Sequence, residues 1–256
     1  MPIIYEPKGR AFEYSPLAAN LYNGCAHGCS YCFVPGIPPY KYAENARAAF
    51  YANPAPRPCV LEQLARDARR MAGDERRILM SFTSDPYQPI EREHEITRQA
   101  LRIMVDHGLR PQILTKAGAW AVERDGDVLQ ASGCVWAATL TFDDAAKSLE
   151  WEPGAALPCE RFAALERAHA LGLETWASLE PVLDPDAATR IIHATHRFVD
   201  LFKVGKLNHH PLEREIDWAD FLRRAEDALD EHGKARYIKR DLEAFRKTDK
   251  IRGQAA

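Results

Sequence analysis

Three cysteines, Cys25, Cys29 and Cys32, stand within eight residues in the stretch "NGCAHGCSYCFVPG", at the spacing C-x3-C-x2-C. Three thiols on one short loop make a metal-ligand set. A structural zinc site normally takes four protein ligands, and an open catalytic one takes three. An iron–sulfur cluster also takes thiolates; with only three, one iron of a four-iron cluster lacks a protein ligand and stays open to substrate or cofactor. The small residues Ala26, Gly28 and Ser30 between the ligands suit a loop that wraps a cuboidal cluster. The alternative is a zinc site completed by a histidine such as His27. A disulfide is the weakest reading: the start, "MPIIYEPKGR", carries no basic region followed by an apolar core. The expected compartment is therefore a reducing cytoplasm, where clustered thiols more often mean metal or catalysis.

The elements that must hold this loop follow from hydrophobic period. Short apolar runs at 19–23, 76–82, 110–115, 134–142, 173–182 and 199–205 read as strands. Between them, 60–72, 94–108, 117–133, 158–172, 184–198 and 217–233 have helical spacing, and 235–242 reads as a weak last strand or extended tail. Strands alternating with helices indicate βαβ units and a parallel sheet. The expected fold is α/β, a partial (β/α)6-type barrel in a single domain, 1–256. Its parts are an irregular N-terminal arm over 1–18, a barrel core over 19–205 and a C-terminal helical or extended segment over 206–256. The chain of 256 residues, 46% hydrophobic and 28% charged, suits one soluble domain. No apolar run approaches the ~20 residues of a membrane helix. The net charge of −3 makes no general case for nucleic acid.

In such barrels chemistry sits at the C-terminal ends of the strands, and the cysteines lie just past the first one. Lys116 after the third strand, Glu180 at the end of the fifth and Lys203 within the sixth are expected to line a cavity, since a lysine in the apolar run "LFKVG" is costly unless its charge is paired or reaches polar space. Thr139 and Thr141, two apart, share one strand face and read as ribose contacts or as satisfied core threonines. Cys134 reads as packing and Cys59 carries no reading. Arg161 reads as facing an anion or as solvated.

"CAHGCSYC", with the aromatic Tyr31 just before the last cysteine, resembles the signature of the radical S-adenosylmethionine superfamily. "EPKGRAFEY" (6–14), "LYNGCAHGCSYCFVP" (21–35), "SFTSDPYQPIE" (81–91), "ILTKA" (113–117) and "SLEP" (178–181) resemble its spore-photoproduct-lyase-like branch. The resemblance implies that Cys25, Cys29 and Cys32 ligate a [4Fe–4S] cluster. The fourth iron would chelate the amino and carboxylate groups of S-adenosylmethionine. One electron would then release a 5′-deoxyadenosyl radical that takes hydrogen from the substrate. It further implies a flavodoxin- or ferredoxin-type electron donor, and a nucleic-acid lesion or base as one candidate substrate. Radical chemistry on a small molecule or peptide, and a non-catalytic metal-binding protein, are the alternatives. In this superfamily the end of the second strand meets the methionine amino group, often through a Gly-Gly-Glu run; here Thr83, Ser84 and Asp85 occupy that place, with Asp85 the expected ammonium acceptor. Cys159, after the fourth strand, is the candidate hydrogen donor to a substrate radical. The stretch 234–252 has eight Lys/Arg against three Asp/Glu and offers Lys234, Arg236, Lys239 and Arg240 to a phosphate backbone.

Overall fold

A computed structural model describes residues 2–246. The chain opens with β1 (Ile4–Tyr5), β2 (Leu17–Ala19), β3 (Tyr22–Asn23), α1 (Ala46–Ala52), β4 (Ala55–Pro56) and α2 (Val60–Arg70). Strand–helix units follow: β5 (Arg77–Met80), α3 (Glu91–His94), α4 (Ile96–Asp106), β6 (Arg110–Thr115), α5 (Trp120–Ala131), β7 (Val135–Thr139), α6 (Ala145–Trp151), α7 (Pro158–Ala170) and β8 (Thr175–Leu179). The last elements are α8 (Pro185–Thr195), β9 (Leu201–Val204), α9 (Trp218–Glu231), β10 (Ala235–Ile238) and α10 (Arg240–Glu243).

Eight strands form one sheet in the order β1-β2-β5-β6-β7-β8-β9-β10. All neighbours from β2 to β10 pair in parallel, and β1 alone runs antiparallel, against β2. This is the open, mostly parallel sheet of a partial barrel. The period of two sorts each strand's side chains. Ile78, Met80, Ile113, Trp136, Ala138, Ala177, Phe202 and Val204 pack outward against the helices in the main core. Val135, Ala137 and Trp176 face the other way and form a small inner cluster with Tyr14, Leu114 and Leu201. The helices answer with apolar stripes: Val60, Leu64 and Ala68 on α2, and Phe221, Leu222, Ala225 and Leu229 on α9. Asp184 and Asp217 cap α8 and α9 by accepting amide hydrogen bonds from the first turn. Among the described residues no helix is long and apolar enough to cross a membrane.

Three expectations shift. The arm over 1–18 is not irregular throughout: its Ile3 and Ile4 amides both donate to buried Asp67, at 2.5 and 3.2 Å, which fixes β1 on the sheet edge. The first strand is also broken. The barrel strand ends at Ala19, and Tyr22–Asn23 pairs instead with Ala55–Pro56 in a separate two-stranded sheet. At the other edge, 235–238 is a full parallel strand, so the sheet continues past residue 205. The arm and this strand meet across the open side, where Glu13 accepts from the Tyr237 hydroxyl and the Arg240 amide, both at 3.0 Å.

Candidate active site

The cysteine loop is held from three directions. Gly24 takes a left-handed backbone (φ +75°), and a Cβ there would lie 2.7 Å from the Phe50 carbonyl oxygen, so only glycine lets the chain pass. Its backbone is pinned by Gln88, which accepts from the Ala26 amide at 2.8 Å and donates to the Gly24 carbonyl at 3.3 Å. From α1, Arg47 donates to the Ser30 and Cys32 carbonyls, both at 3.0 Å, and Tyr51 donates to the Cys29 carbonyl at 2.7 Å. From the other side the turn after α6 closes down: the Ser30 amide donates to Trp151 O and the Gly154 amide to His27 O, each at 2.9 Å. A Cβ on Gly154 would sit 2.1 Å from the Ala26 carbonyl oxygen, so this contact also requires glycine.

All three cysteines line one cavity of about 460 Å³ at the C-terminal ends of the strands, within the range of small-molecule sites. Cys29 is buried, and Cys25 and Cys32 are half-buried. Burial pushes the Cys29 thiol up to about 11 and raises Cys25 as well, with Asp85 adding to the latter effect. Free Cys25 and Cys29 are therefore protonated at neutral pH, and a metal must displace those protons to bind. Among the described residues, the one set of three such ligand atoms all within 4.8 Å of one another lies elsewhere, on the surface. Three thiols around one cavity match the donor set of an iron–sulfur cluster with one open iron or of an open three-ligand metal site.

The expected residues divide by position. Tyr31, Thr83, Ser84, Asp85, Lys116, Thr139 and Glu180 all line the cavity. Tyr31 donates to Glu152, which is ion-paired with the fully buried Arg161 at 2.5 Å; the arginine is neither solvated nor free for an external anion. Burial, together with Cys29 and Glu152, holds the Tyr31 hydroxyl far above its ordinary value, so it stays a donor. Lys116 stands 5.7 Å from the Tyr31 ring centroid. Burial would lower its ammonium, but Cys29 in its thiolate form and Glu152 outweigh burial and raise it.

Asp85 lines the cavity, yet both its oxygens are committed to the protein. Oδ1 accepts from the Thr115 hydroxyl at 2.6 Å and the Tyr87 amide at 2.8 Å; Oδ2 accepts from the Lys116 amide at 2.8 Å and faces His27 Nε2 at 3.1 Å. Burial opposes ionisation here, but His27, Thr115 and the Lys116 amide prevail and hold the carboxyl at about 2. The buried hydroxyls beside it, Ser81 and Ser84, have no protein partner. Ser81 sits at φ +64°, and the following turn is shaped by Asn20, whose Oδ1 accepts from the Phe82 and Thr83 amides at 2.7 and 2.9 Å.

Three expected residues stand off the cavity. Thr141 lies past the end of β7, behind Tyr31, where it donates to Glu152 at 3.1 Å. Lys203 pairs in register with Ser178, one inward layer deeper than Glu180; it donates to the Tyr14 carbonyl at 2.9 Å and sits 4.4 Å over the Trp176 ring. Cys159 is exposed in the first turn of α7 and is absent from the cavity wall, so it is not positioned as a donor to a substrate there.

The wall opposite the cysteines was not legible as a unit. Tyr14 and Lys239 both donate to Glu180, and Lys239 Nζ lies 3.2 Å from the Tyr14 ring centroid. Gly205 makes the room: a Cβ there would be 2.8 Å from Glu180 Cδ and 3.0 Å from Lys239 Cδ. Only the ends of the chain bring these groups together, so their separation in sequence hides them. The basic stretch that begins at 234 is largely spoken for. Lys239 is buried, Arg236 pairs with Asp230 and Glu226, and Arg246 pairs with Glu226 and Glu243. Residues 247–252 of that stretch lie outside the described residues.

Residues 19–187 match the family model of the radical SAM superfamily, and the chain belongs to that superfamily. It is 26% identical over 177 residues to the uncharacterized protein Rv2578c of Mycobacterium tuberculosis, covering 67% of this chain and 50% of that protein. It is also 26% identical over 193 residues to the uncharacterized protein MJ0683 of Methanocaldococcus jannaschii, with 74% and 69% covered. The chain spans about half the length of the mycobacterial relatives it matches. In structure it is similar to a spore photoproduct lyase double mutant with bound AdoMet and dinucleoside spore photoproduct, with a TM-score of 0.67 at 13% identity, covering 92% of this chain and 78% of that one. It is also similar to SuiB of Streptococcus suis bound to S-adenosylmethionine, with a TM-score of 0.58 at 13% identity and coverage of 86% and 49%. At these identities the likeness is one of fold.

Proposed function

We propose that the protein is an enzyme that holds a [4Fe–4S] cluster on Cys25, Cys29 and Cys32 and cleaves S-adenosylmethionine reductively to abstract hydrogen from a substrate. The observation that carries this reading is three thiols of one short loop lining a single cavity at the strand ends. A [4Fe–4S] cluster held by Cys25, Cys29 and Cys32 would supply the one electron that breaks the sulfur–C5′ bond of S-adenosylmethionine, giving methionine and a radical able to take hydrogen from a substrate.

The chain's own residues bind and orient. Ser81 and Ser84 offer the cofactor hydroxyls that no protein group uses. Tyr31 and Thr139 form the adjoining wall, and Lys116 brings a positive charge to it. Asp85 acts one step back: it ties its own turn to Thr115 and Lys116 on the neighbouring strand end, with His27 of the cysteine loop 3.1 Å from its Oδ2. The pairing of Glu180 with Lys239 leaves the opposite wall without a free charge, which suits a radical that must meet one C–H bond and nothing else. A flavodoxin- or ferredoxin-type protein is the proposed electron donor.

The mouth carries Lys8, Arg10 and His209, which favours a substrate with an anionic group; a nucleic-acid lesion or base is one such substrate. Arg10 is well exposed and only loosely paired with Asp241, at 3.3 Å. If nucleic acid binds here, the slope of log affinity against log salt should flatten by roughly 0.7–0.9 for each of Lys8→Ala and Arg10→Ala. A flat salt response in the unmodified protein leaves a small molecule or peptide. The first test of the whole reading is iron: after anaerobic reconstitution, about four irons per chain with thiolate-to-iron absorbance. Stoichiometric zinc without iron would end it.

A further inference from the structure

Far from the cavity, three histidines and a glutamate gather where α8 and α9 end. His193, in the last turn of α8, brings Nδ1 to 2.8 Å from Nε2 of His232, the residue that follows α9. Glu231 joins them, so that one ligand atom from each of the three lies within 4.8 Å of the others. His196 completes the group: its ring stacks on His232 at 3.8 Å and an interplanar angle of 2°, and its Nδ1 meets the His193 carbonyl at 2.8 Å. All four residues are at least partly exposed.

We propose that His193, His232 and Glu231 form a site for one divalent transition-metal ion of the zinc type, which staples α8 to α9. The geometry carries it. Two ligand nitrogens on one ion, with bonds of ~2.0–2.1 Å, stand about 2.9–3.4 Å apart. The observed 2.8 Å between the two imidazoles is already within a small side-chain adjustment of that distance. Two imidazoles and a carboxylate select zinc, cobalt, nickel or copper over the harder calcium and magnesium, and water completes the coordination. Both imidazoles lie at helix C-termini, where the partial negative charge of unsatisfied carbonyls favours a cation.

The surroundings keep the ligands ready. The stacked His196 holds the His232 ring plane, in the manner of groups that orient metal ligands from behind. The site sits at the opposite end of the barrel from the cysteines: His232 lies three residues before β10 begins, and no member of the group lines the cavity. An ion here is therefore a staple on the folded state and takes no part in radical chemistry. The inference does not depend on the proposed function.

Cobalt(II) is the probe, because its spectrum reports its ligands. The untagged full chain, titrated anaerobically with Co²⁺, should bind one equivalent with weak visible d–d bands and no thiolate charge transfer, and Zn²⁺ should displace it. Zn²⁺ should also raise the thermal midpoint in a concentration-dependent way, as a ligand of the folded state must. His193→Ala and His232→Ala should each weaken binding at least tenfold and abolish the zinc-dependent rise, while Cys25→Ser leaves both intact. Both histidines are on the surface, so these variants fold. Cobalt absorption that is all thiolate in character and lost in Cys25→Ser would overturn the proposal. An unchanged zinc response in the two histidine variants would overturn it equally.

Discussion

Asp85 is the residue where chemical expectation and geometry diverge most. A carboxylate beside a cofactor cavity invites the role of ammonium acceptor, but its oxygens already accept three protein hydrogen bonds, with His27 Nε2 3.1 Å away. Its work is to tie the turn after β5 to the end of β6, against which His27 of the cysteine loop packs. Asp85→Ala should therefore destabilise the fold by about 3 kcal/mol, as expected when one member of a buried charged network is removed. Iron retention should fall together with affinity for S-adenosylmethionine. A variant that keeps its melting temperature and iron but loses the cofactor would return Asp85 to the acceptor role. Lys203 makes a second test. Burial, with Lys239 close by, lowers its ammonium to about 8 from an ordinary 10.5. A lysine depressed in the folded state weakens folding most below pH 8, where it is charged in both states. The penalty fades as pH rises from 8 towards 10.5. Lys203→Met should thus stabilise the protein at pH 7 by up to roughly 3 kcal/mol, and the gain should vanish near pH 10.5. A gain that is constant with pH, or a loss at pH 7, contradicts this placement.

At the scale of elements, the helices and inner strands were legible because their apolar period is strong. The stretches 94–108 and 158–172 contain α4 and α7, and the buried run at 134–142 contains β7. What the sequence concealed were short or half-exposed pieces whose partners are distant. β1 has two residues and depends on Asp67 from α2. β10 carries no fully buried residue, so its pattern looks like a tail until β9 pairs with it. The turn around Gly154 was hidden for the same reason: its function is to touch a loop more than a hundred residues earlier. Gly154→Ala should push a methyl group into the Ala26 carbonyl, detach that turn from the cysteine loop and cost about 2–3 kcal/mol. Iron occupancy should fall with it. Gly36→Ala, where a Cβ meets nothing within 4 Å, is the matched control and should leave melting and iron unchanged. Equal behaviour of the two variants would mean that the turn does not hold the loop.

Across the whole molecule, the barrel keeps two regions apart. The strand C-termini gather the cysteines, the unpartnered serines and the neutralised Glu180–Lys239 wall around one cavity. The open side of the sheet is bridged by residues from both ends of the chain, through Glu13, Tyr237 and Arg240. The cysteine motif marked one side of the cavity at once, since its spacing is local. The opposite wall was not readable, because Tyr14, Glu180, Gly205 and Lys239 meet only after the sheet is complete. The central claim is that this cavity cleaves S-adenosylmethionine by one-electron reduction, and product analysis tests it most directly. Anaerobically reconstituted protein, given a strong reductant and S-adenosylmethionine, should form 5′-deoxyadenosine and methionine, and Cys25→Ala, Cys29→Ala and Cys32→Ala should each abolish both products. Intact S-adenosylmethionine in the presence of a fully loaded, reduced cluster would contradict the account.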